Sequence, residues 1–307
     1  MYKKRDSRVK TLLIPLLIVM LLSTFGCAAE QFGIESENQS SPHTLTLSET
    51  PLNTNSEADP PLESANPSVS YETSWPDRTV KTENGYLVNS CVPEELREHA
   101  TTLKARDNTY LSALVLGSGS DGILLAHEQG YSICSFLEVG TKLADQGYLV
   151  VIPEYRSHGA SQITENTESI DLDAEAALDE LTRQGAKRIF LAGASCGGTT
   201  AIIAGARQDL PIQGLLILSS PAQCGPTLDA IPSVKKIKAP SLFVVSPGDM
   251  QGAVEKHVRK LYEASGAEHK ELIIDESGFH GTDMFKLDEH GDKLQTKIIK
   301  FINAAFH

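Results

Sequence analysis

The sequence predicts an α/β architecture, with a mostly parallel central sheet, helices on both faces and little or no cap. Three observations predict it. Short apolar runs of strand length alternate with segments of helical period through the C-terminal two thirds of the chain. Several runs are continuously apolar, as strands covered on both faces require. The breaks between them fall at Gly, Ser and Asp.

Taken in order, TYLSALVLG and GILLAH are strand-length runs, and the GSGSDG between them suits a turn joining an antiparallel pair. SFLEVGTKLADQG sets Leu137, Val139, Leu143 and Ala144 among polar positions, a surface helix ending near Gly147. YLVVIPEY reads as a buried strand. In ESIDLDAEAALDELTRQGAKR, residues Ile170, Ala174, Ala177, Leu178 and Leu181 recur at helical spacing. Asp171 and Asp173 are capping candidates there, and Gly185 breaks the helix. RIFLAGAS is a further strand, and TTAIIAGARQ continues as a helix. GLLILSS, APSLFVVSP and KELIIDES supply three later strands, and KLQTKIIKFINAAF an amphipathic terminal helix. This regular portion, residues 106–307, is one domain without an internal repeat. The stretch from Ser220 to Ala239 leaves little room for a lid.

Three unlike segments precede it. Residues 1–27 open with MYKKRDSRVK, then an uncharged apolar run from Leu12 to Leu22 that stops at Gly26-Cys27. A basic head and a run too short for a span of ~20 residues form an export signal. The stretch resembles a bacterial lipoprotein signal, which implies Cys27 as the lipidated residue and a membrane anchor there. An uncleaved anchor and conventional secretion are the competing readings, and all three place the remainder outside the cytoplasm. Residues 28–70 hold seven acids, no Lys or Arg, and five prolines. Apolar burial in such a segment cannot offset the entropy of ordering it, so it reads as an acidic tether. Residues 71–105 read as a transition segment in which Trp75 packs on the body.

The whole chain has 307 residues and a formal net charge of −13. That acidity argues against a nucleic-acid partner, since backbone phosphates are gripped by Lys and Arg clusters. With Cys27 lipidated, Cys91, Cys134, Cys196 and Cys224 allow three complete pairings, while free buried thiols are as compatible for the last three. Their spacing resembles no paired-Cys zinc module, so no metal is expected. GSGSDG lacks the lysine and helix of a nucleotide loop, and no nicotinamide fingerprint is present, so no cofactor is expected either.

The chemistry centres on RIFLAGASCGGTTAIIAG. Gly193-Ala194-Ser195-Cys196-Gly197 satisfies G-x-S-x-G between a strand and a helix, a setting in which a sharp turn lifts the Ser195 hydroxyl above the sheet edge. GILLAHEQGY, LADQGYLVVIPEYRSHGAS and LDELTRQGAKRIFLAGASCGG, in that order, resemble the α/β-hydrolase superfamily, in particular small bacterial hydrolases of the esterase and dienelactone-hydrolase-like kind. The likeness covers most of residues 106–307. It implies a serine nucleophile followed in sequence by an acid and then a histidine. Asp249, just beyond SLFVVSPG, and His280, between ELIIDESGF and GTDMF, match those positions; Asp275 and Glu276 are weaker acids. The oxyanion donors are then the backbone N–H groups of Cys196 and of Gln129, with Glu128 the alternative. His127 reads as a structural loop residue rather than a second base. Tyr155, Arg156 and His158 stand at a strand end bordering the pocket, although Arg156 could equally pair with a loop acid. The resemblance implies hydrolysis of a small-molecule ester or related acyl compound through an acyl-enzyme. A peptidase or amidase of the same fold and a non-catalytic surface-binding module are the alternatives.

Overall fold

The computed structural model describes residues 69–307. The signal segment, Cys27 and all but the last two residues of the acidic tether lie outside the described residues.

A small hairpin opens this part, β1 (Thr79–Lys81) against β2 (Leu87–Asn89). The main sheet then takes β3 (Ala100–Lys104), β4 (Tyr110–Leu116), β5 (Asp121–Ala126), β6 (Leu149–Pro153), β7 (Arg188–Ala194) and β8 (Ile212–Leu218). A short pair, β9 (Gln223–Cys224) and β10 (Leu228–Asp229), stands apart from it, and β11 (Ser241–Val245) and β12 (Lys270–Ile274) complete it. The helices are α1 (Leu137–Ala144), α2 (Ile170–Arg183), α3 (Cys196–Gly205), α4 (Ile231–Val234), α5 (Ala253–Ala264), α6 (Asp283–Lys286) and α7 (Gly291–Phe306).

The eight strands lie in the order β12-β11-β8-β7-β5-β6-β4-β3. Only β3 with β4 and β4 with β6 run antiparallel; every other neighbouring pair in this sheet is parallel. Two expectations change here. The GSGSDG turn does not join a hydrogen-bonded pair, because β6 inserts between β4 and β5. The long-range pairing of β6 with both neighbours outweighs the local turn signal. The body also begins before residue 106, since β3 is an edge strand of the sheet, in register with β4 from Ala100 to Lys104.

Alternate residues along each strand feed opposite faces, as the two-residue period dictates. Leu124 and Ala126 of β5 join a core with α2, α3 and α5, whereas Ile123 and Leu125 join a core with α1, α6 and α7. The predicted apolar stripe of α2 faces the first of these: Ala174, Ala177 and Leu181 are fully buried. The capping role expected of Asp173 does not hold. Its carboxylate instead receives the Arg156 backbone N–H at 2.8 Å and the Arg156 guanidinium at 2.7 and 2.8 Å. Both side chains are fully buried, so removing Asp173 leaves the buried Arg156 charge with only the partly exposed Asp107 to balance it. Asp173→Ala is expected to destabilise the domain by about 3–5 kcal/mol, read as a lower urea midpoint at unchanged slope.

The transition segment packs on the body at several points. A Cys91–Cys134 disulfide ties it to the loop before α1. Asn89 Nδ2 donates to buried Glu154 at 2.8 Å, and the Trp75 ring lies 6.0 Å from that of His158. Closing a loop of this length contributes on the order of 2–4 kcal/mol.

Candidate active site

Parallel strands deliver their C-terminal ends to one edge of the sheet, which is where ligands sit in open α/β folds. Ser195 follows β7, Asp249 lies beyond β11, His280 beyond β12, and Glu128-Gln129 beyond β5. All four strands run the same way, so residues far apart in sequence meet on that edge.

Ser195 sits at the sharp turn from β7 into α3 with φ 51° and ψ −132°. That positive φ is unfavourable for a non-glycine residue, and its surroundings impose it. The Ser195 N–H donates to Leu218 O at 2.8 Å, while Gly198 N–H donates back to Ser195 O at 3.0 Å. Glycine is required beside it by close approach. A Cβ on Gly193 would run into the Gly197 backbone, and one on Gly197 into the carbonyls of Ala126 and His127. The turn therefore abuts the loop after β5 directly.

Asp249 and His280 are brought together. His280 Nδ1–H donates to the Asp249 carboxylate, 2.9 Å from each oxygen, with Asp249 buried and His280 partly exposed. This contact fixes the ring tautomer and leaves Nε2 as the basic nitrogen. Ser195 Oγ makes no hydrogen bond to a described residue. Such contacts commonly close only when substrate is bound. Asp275 is occupied elsewhere, its Oδ1 accepting from Ser277 N at 3.1 Å and Ser246 Oγ at 3.4 Å. Beyond Asp249 the chain takes two left-handed non-glycine residues, Met250 and Gln251, and Met250 is exposed.

Burial pushes the His280 pKa down, but the Asp249 hydrogen bond and charge, joined by Glu128 and Asp283, outweigh it and raise the value above the ordinary 6.5. His280 is the base expected from the sequence, and a base must be unprotonated to act. The acid limb of kcat/KM is therefore expected above pH 6.5, with activity falling as pH drops through it; a pH–rate profile checks this. The sign for stability is opposite. A raised histidine pKa stabilises the fold fully below about 6.5, and that contribution is lost as pH rises through the folded value.

The loop after β5 is held by two neutral histidines. His127 is fully buried, and burial, then the neighbouring His158, hold its pKa down to about 3. Its Nε2 accepts from Tyr155 N at 3.1 Å and its Nδ1–H donates to Glu128 O at 2.7 Å, a structural task rather than a catalytic one. His158 Nε2 accepts the Gly130 N–H at 2.8 Å. The N–H groups of Gln129 and Cys196 have no partner among the described residues. Gln129 Oε1 lies 3.6 Å from Cys196 Sγ, a packing contact, since a disulfide sulfur carries no proton to donate. That disulfide joins Cys196 to Cys224 of the β9–β10 pair and removes Cys196 as a thiol nucleophile.

The pocket-rim placement of Tyr155 and Arg156 is corrected. Both are buried, Tyr155 OH sharing a 2.6 Å hydrogen bond with Thr200 Oγ1 and Arg156 pairing with Asp173 and Asp107. The strand end turns these side chains into the α2 side of the core. Glu128 is also buried, its side chain directed at the Thr282 N–H. Thr282, Tyr131 and Asp283 were not legible as site residues. Their contacts span about 150 positions, and no local pattern marks them.

A family model described as serine aminopeptidase, S33 matches residues 120–236. No curated protein matches the sequence. Among solved structures, an esterase of Pyrococcus furiosus is similar with a TM-score of 0.55 and 18% identity, covering 68% of this chain and 90% of its own. A monoacylglycerol lipase of Paleococcus ferrophilus is similar at 0.54 and 16%, covering 64% and 99%. The enol-lactonase from Burkholderia xenovorans LB400 is similar at 0.53 and 15%, covering 66% and 99%. The fold is the α/β-hydrolase fold.

Proposed function

We propose that this chain is a serine hydrolase that cleaves carboxylic ester or related acyl bonds. The observation that carries the reading is the pairing of His280 with Asp249 on the sheet edge that also holds the strained Ser195 turn. In the proposed reaction His280 Nε2 takes the Ser195 proton as Oγ attacks the acyl carbon. The N–H groups of Cys196 and Gln129 receive the developing oxyanion, reinforced by the start of α3. Collapse breaks the bond to the leaving group, which takes the proton from His280. Water then gives a proton to His280 as its oxygen attacks the acyl carbon, and collapse breaks the bond to Ser195 Oγ, which takes that proton from His280 as the acid leaves.

The description of the matching family model favours a second reading, a peptidase using the same triad on an amide. Parallel assays on short and long acyl esters, lactones and aminoacyl amides separate the two; an ester hydrolase turns over the esters and lactones far faster than the amides. Labelling by a fluorophosphonate probe tests both against a non-catalytic binding module. Well-folded protein that stays unlabelled at Ser195 would sink the hydrolase reading.

We also propose that the protein is exported and anchored through lipid on Cys27, with residues 28–70 as the tether. Two disulfides in the body support an oxidising compartment. Loss of labelled-lipid incorporation on Cys27→Ala is the expected result; unchanged incorporation would exclude that anchor.

A further inference from the structure

Glu128 is a buried carboxylate beside the candidate triad, and acyl transfer assigns it no step. It is 1% exposed. Its Oε1 accepts the backbone N–H of Thr282, two residues beyond His280, at 2.6 Å. Its Oε2 and the Thr282 hydroxyl are both buried without a hydrogen-bond partner. A buried carboxylate with one donor is a costly arrangement for a residue that only fills space. The backbone is shaped to receive it: Gly281 has φ 56°, and a Cβ there would collide with Glu128 Oε1.

A second contact joins the same two loops. Tyr131 OH donates to Asp283 Oδ2 at 2.6 Å. That bond first, and burial second, push the tyrosine pKa up to about 12. Between the two ties lie Gln129, whose N–H is a candidate oxyanion donor, and Gly130, whose N–H is taken by His158. The two loops are therefore fastened at two points that flank Gln129 on one side of the contact and follow His280 on the other.

Building on the hydrolase reading above, we propose that Glu128 and Tyr131 are positioning residues that clamp the His280 loop to the oxyanion loop, holding the His280 ring and the Gln129 N–H in one frame. Glu128 has an electrostatic part as well. The charges that act on the His280 ring are those of Asp249, which it touches, and of Glu128 and Asp283, the last of these hydrogen-bonded by Tyr131. The Glu128 carboxylate favours the imidazolium that His280 becomes when it takes the serine proton.

The test compares kcat and KM for p-nitrophenyl butyrate across pH in the full chain, with Glu128→Gln, Glu128→Ala and Tyr131→Phe. Glu128→Gln keeps an acceptor for Thr282 but loses the charge, so the acid limb moves to lower pH. Glu128→Ala removes the tie, and kcat falls on the order of 10–10²-fold with a smaller change in KM. Tyr131→Phe slows turnover without moving the acid limb as far as Glu128→Gln. The double variant Glu128→Ala/Tyr131→Phe loses less than the two singles combined, because both act through one loop. Titration of the His280 ring by NMR, wild type against Glu128→Gln, reads the charge effect without needing turnover, and a lower pKa supports the electrostatic part of the proposal.

Wild-type kcat and acid limb in Glu128→Ala would overturn the clamp and leave the hydrolase reading standing. Should that variant fail to fold, Tyr131→Phe decides for the clamp, which wild-type kcat in it would overturn, and Glu128→Gln decides for the charge, which an unmoved acid limb and an unmoved His280 titration would overturn. Wild-type protein unlabelled by a fluorophosphonate defeats the hydrolase reading instead, and the NMR titration alone then judges the contact.

Discussion

Ser195→Ala is expected to lower kcat for an activated ester by on the order of 10⁴–10⁶-fold and to abolish fluorophosphonate labelling, with the fold intact by thermal melt. The magnitude follows from what remains. The N–H groups of Cys196 and Gln129 remain without a partner among the described residues, and His280 still pairs with Asp249. In the proposed mechanism those groups would still polarise a carbonyl and activate water, but no covalent intermediate could form. Stability should change little or rise slightly, because Ser195 Oγ has no hydrogen bond to lose to a described residue while the turn keeps its backbone bonds to Leu218 and Gly198. Alanine inherits the positive φ, so the same strain persists. Residual turnover within tenfold of wild type would place the nucleophile elsewhere.

Asp249→Asn is the second large effect, on the order of 10³–10⁴-fold in kcat near neutral pH. Asp249 is buried and receives the His280 Nδ1–H on both oxygens at 2.9 Å. An amide of the same shape can offer its N–H to Nδ1, which selects the tautomer with the proton on Nε2, where the serine proton has to go. The charge that favours the imidazolium is lost at the same time. Since the Asp249 bond and charge are what hold the His280 pKa up against burial, the acid limb should also move to lower pH. A fall in kcat without movement of the limb would mean that Asp249 only packs against the ring. Equal activity in Asp249→Asn together with its loss in Asp275→Asn would transfer the acid role to the turn after β12.

Much of the fold was legible because its signals are local. Buried parallel strands are continuous apolar runs, and RIFLAGAS, GLLILSS and SLFVV became β7, β8 and β11. The stripe from Ile170 to Leu181 became the buried face of α2. Pairing order was less legible. Nothing in GSGSDG announces that β6, some thirty residues further on, separates the strands flanking it. At the site, Ser195 was visible from a five-residue motif, and His280 and Asp249 from the match of their post-strand places to those of the superfamily the sequence resembles. Whether Tyr155 and Arg156 faced a pocket or the core was not visible, because that turns on a buried partner, Asp173, on a helix later in the chain.

By itself the sequence determined the α/β class and the strand-to-helix turn at Ser195. Backbone propensity and side-chain period act over a few residues, and those two features need no more; the order of serine, acid and histidine came from the resemblance to the α/β-hydrolase superfamily. Only the tertiary structure decided which cysteines pair, that Glu128 turns beneath the histidine loop instead of into a pocket, and that Tyr131 meets Asp283. Each of these depends on two segments meeting after the sheet has formed. The energy of such a contact resides in burial and geometry that neither segment encodes alone.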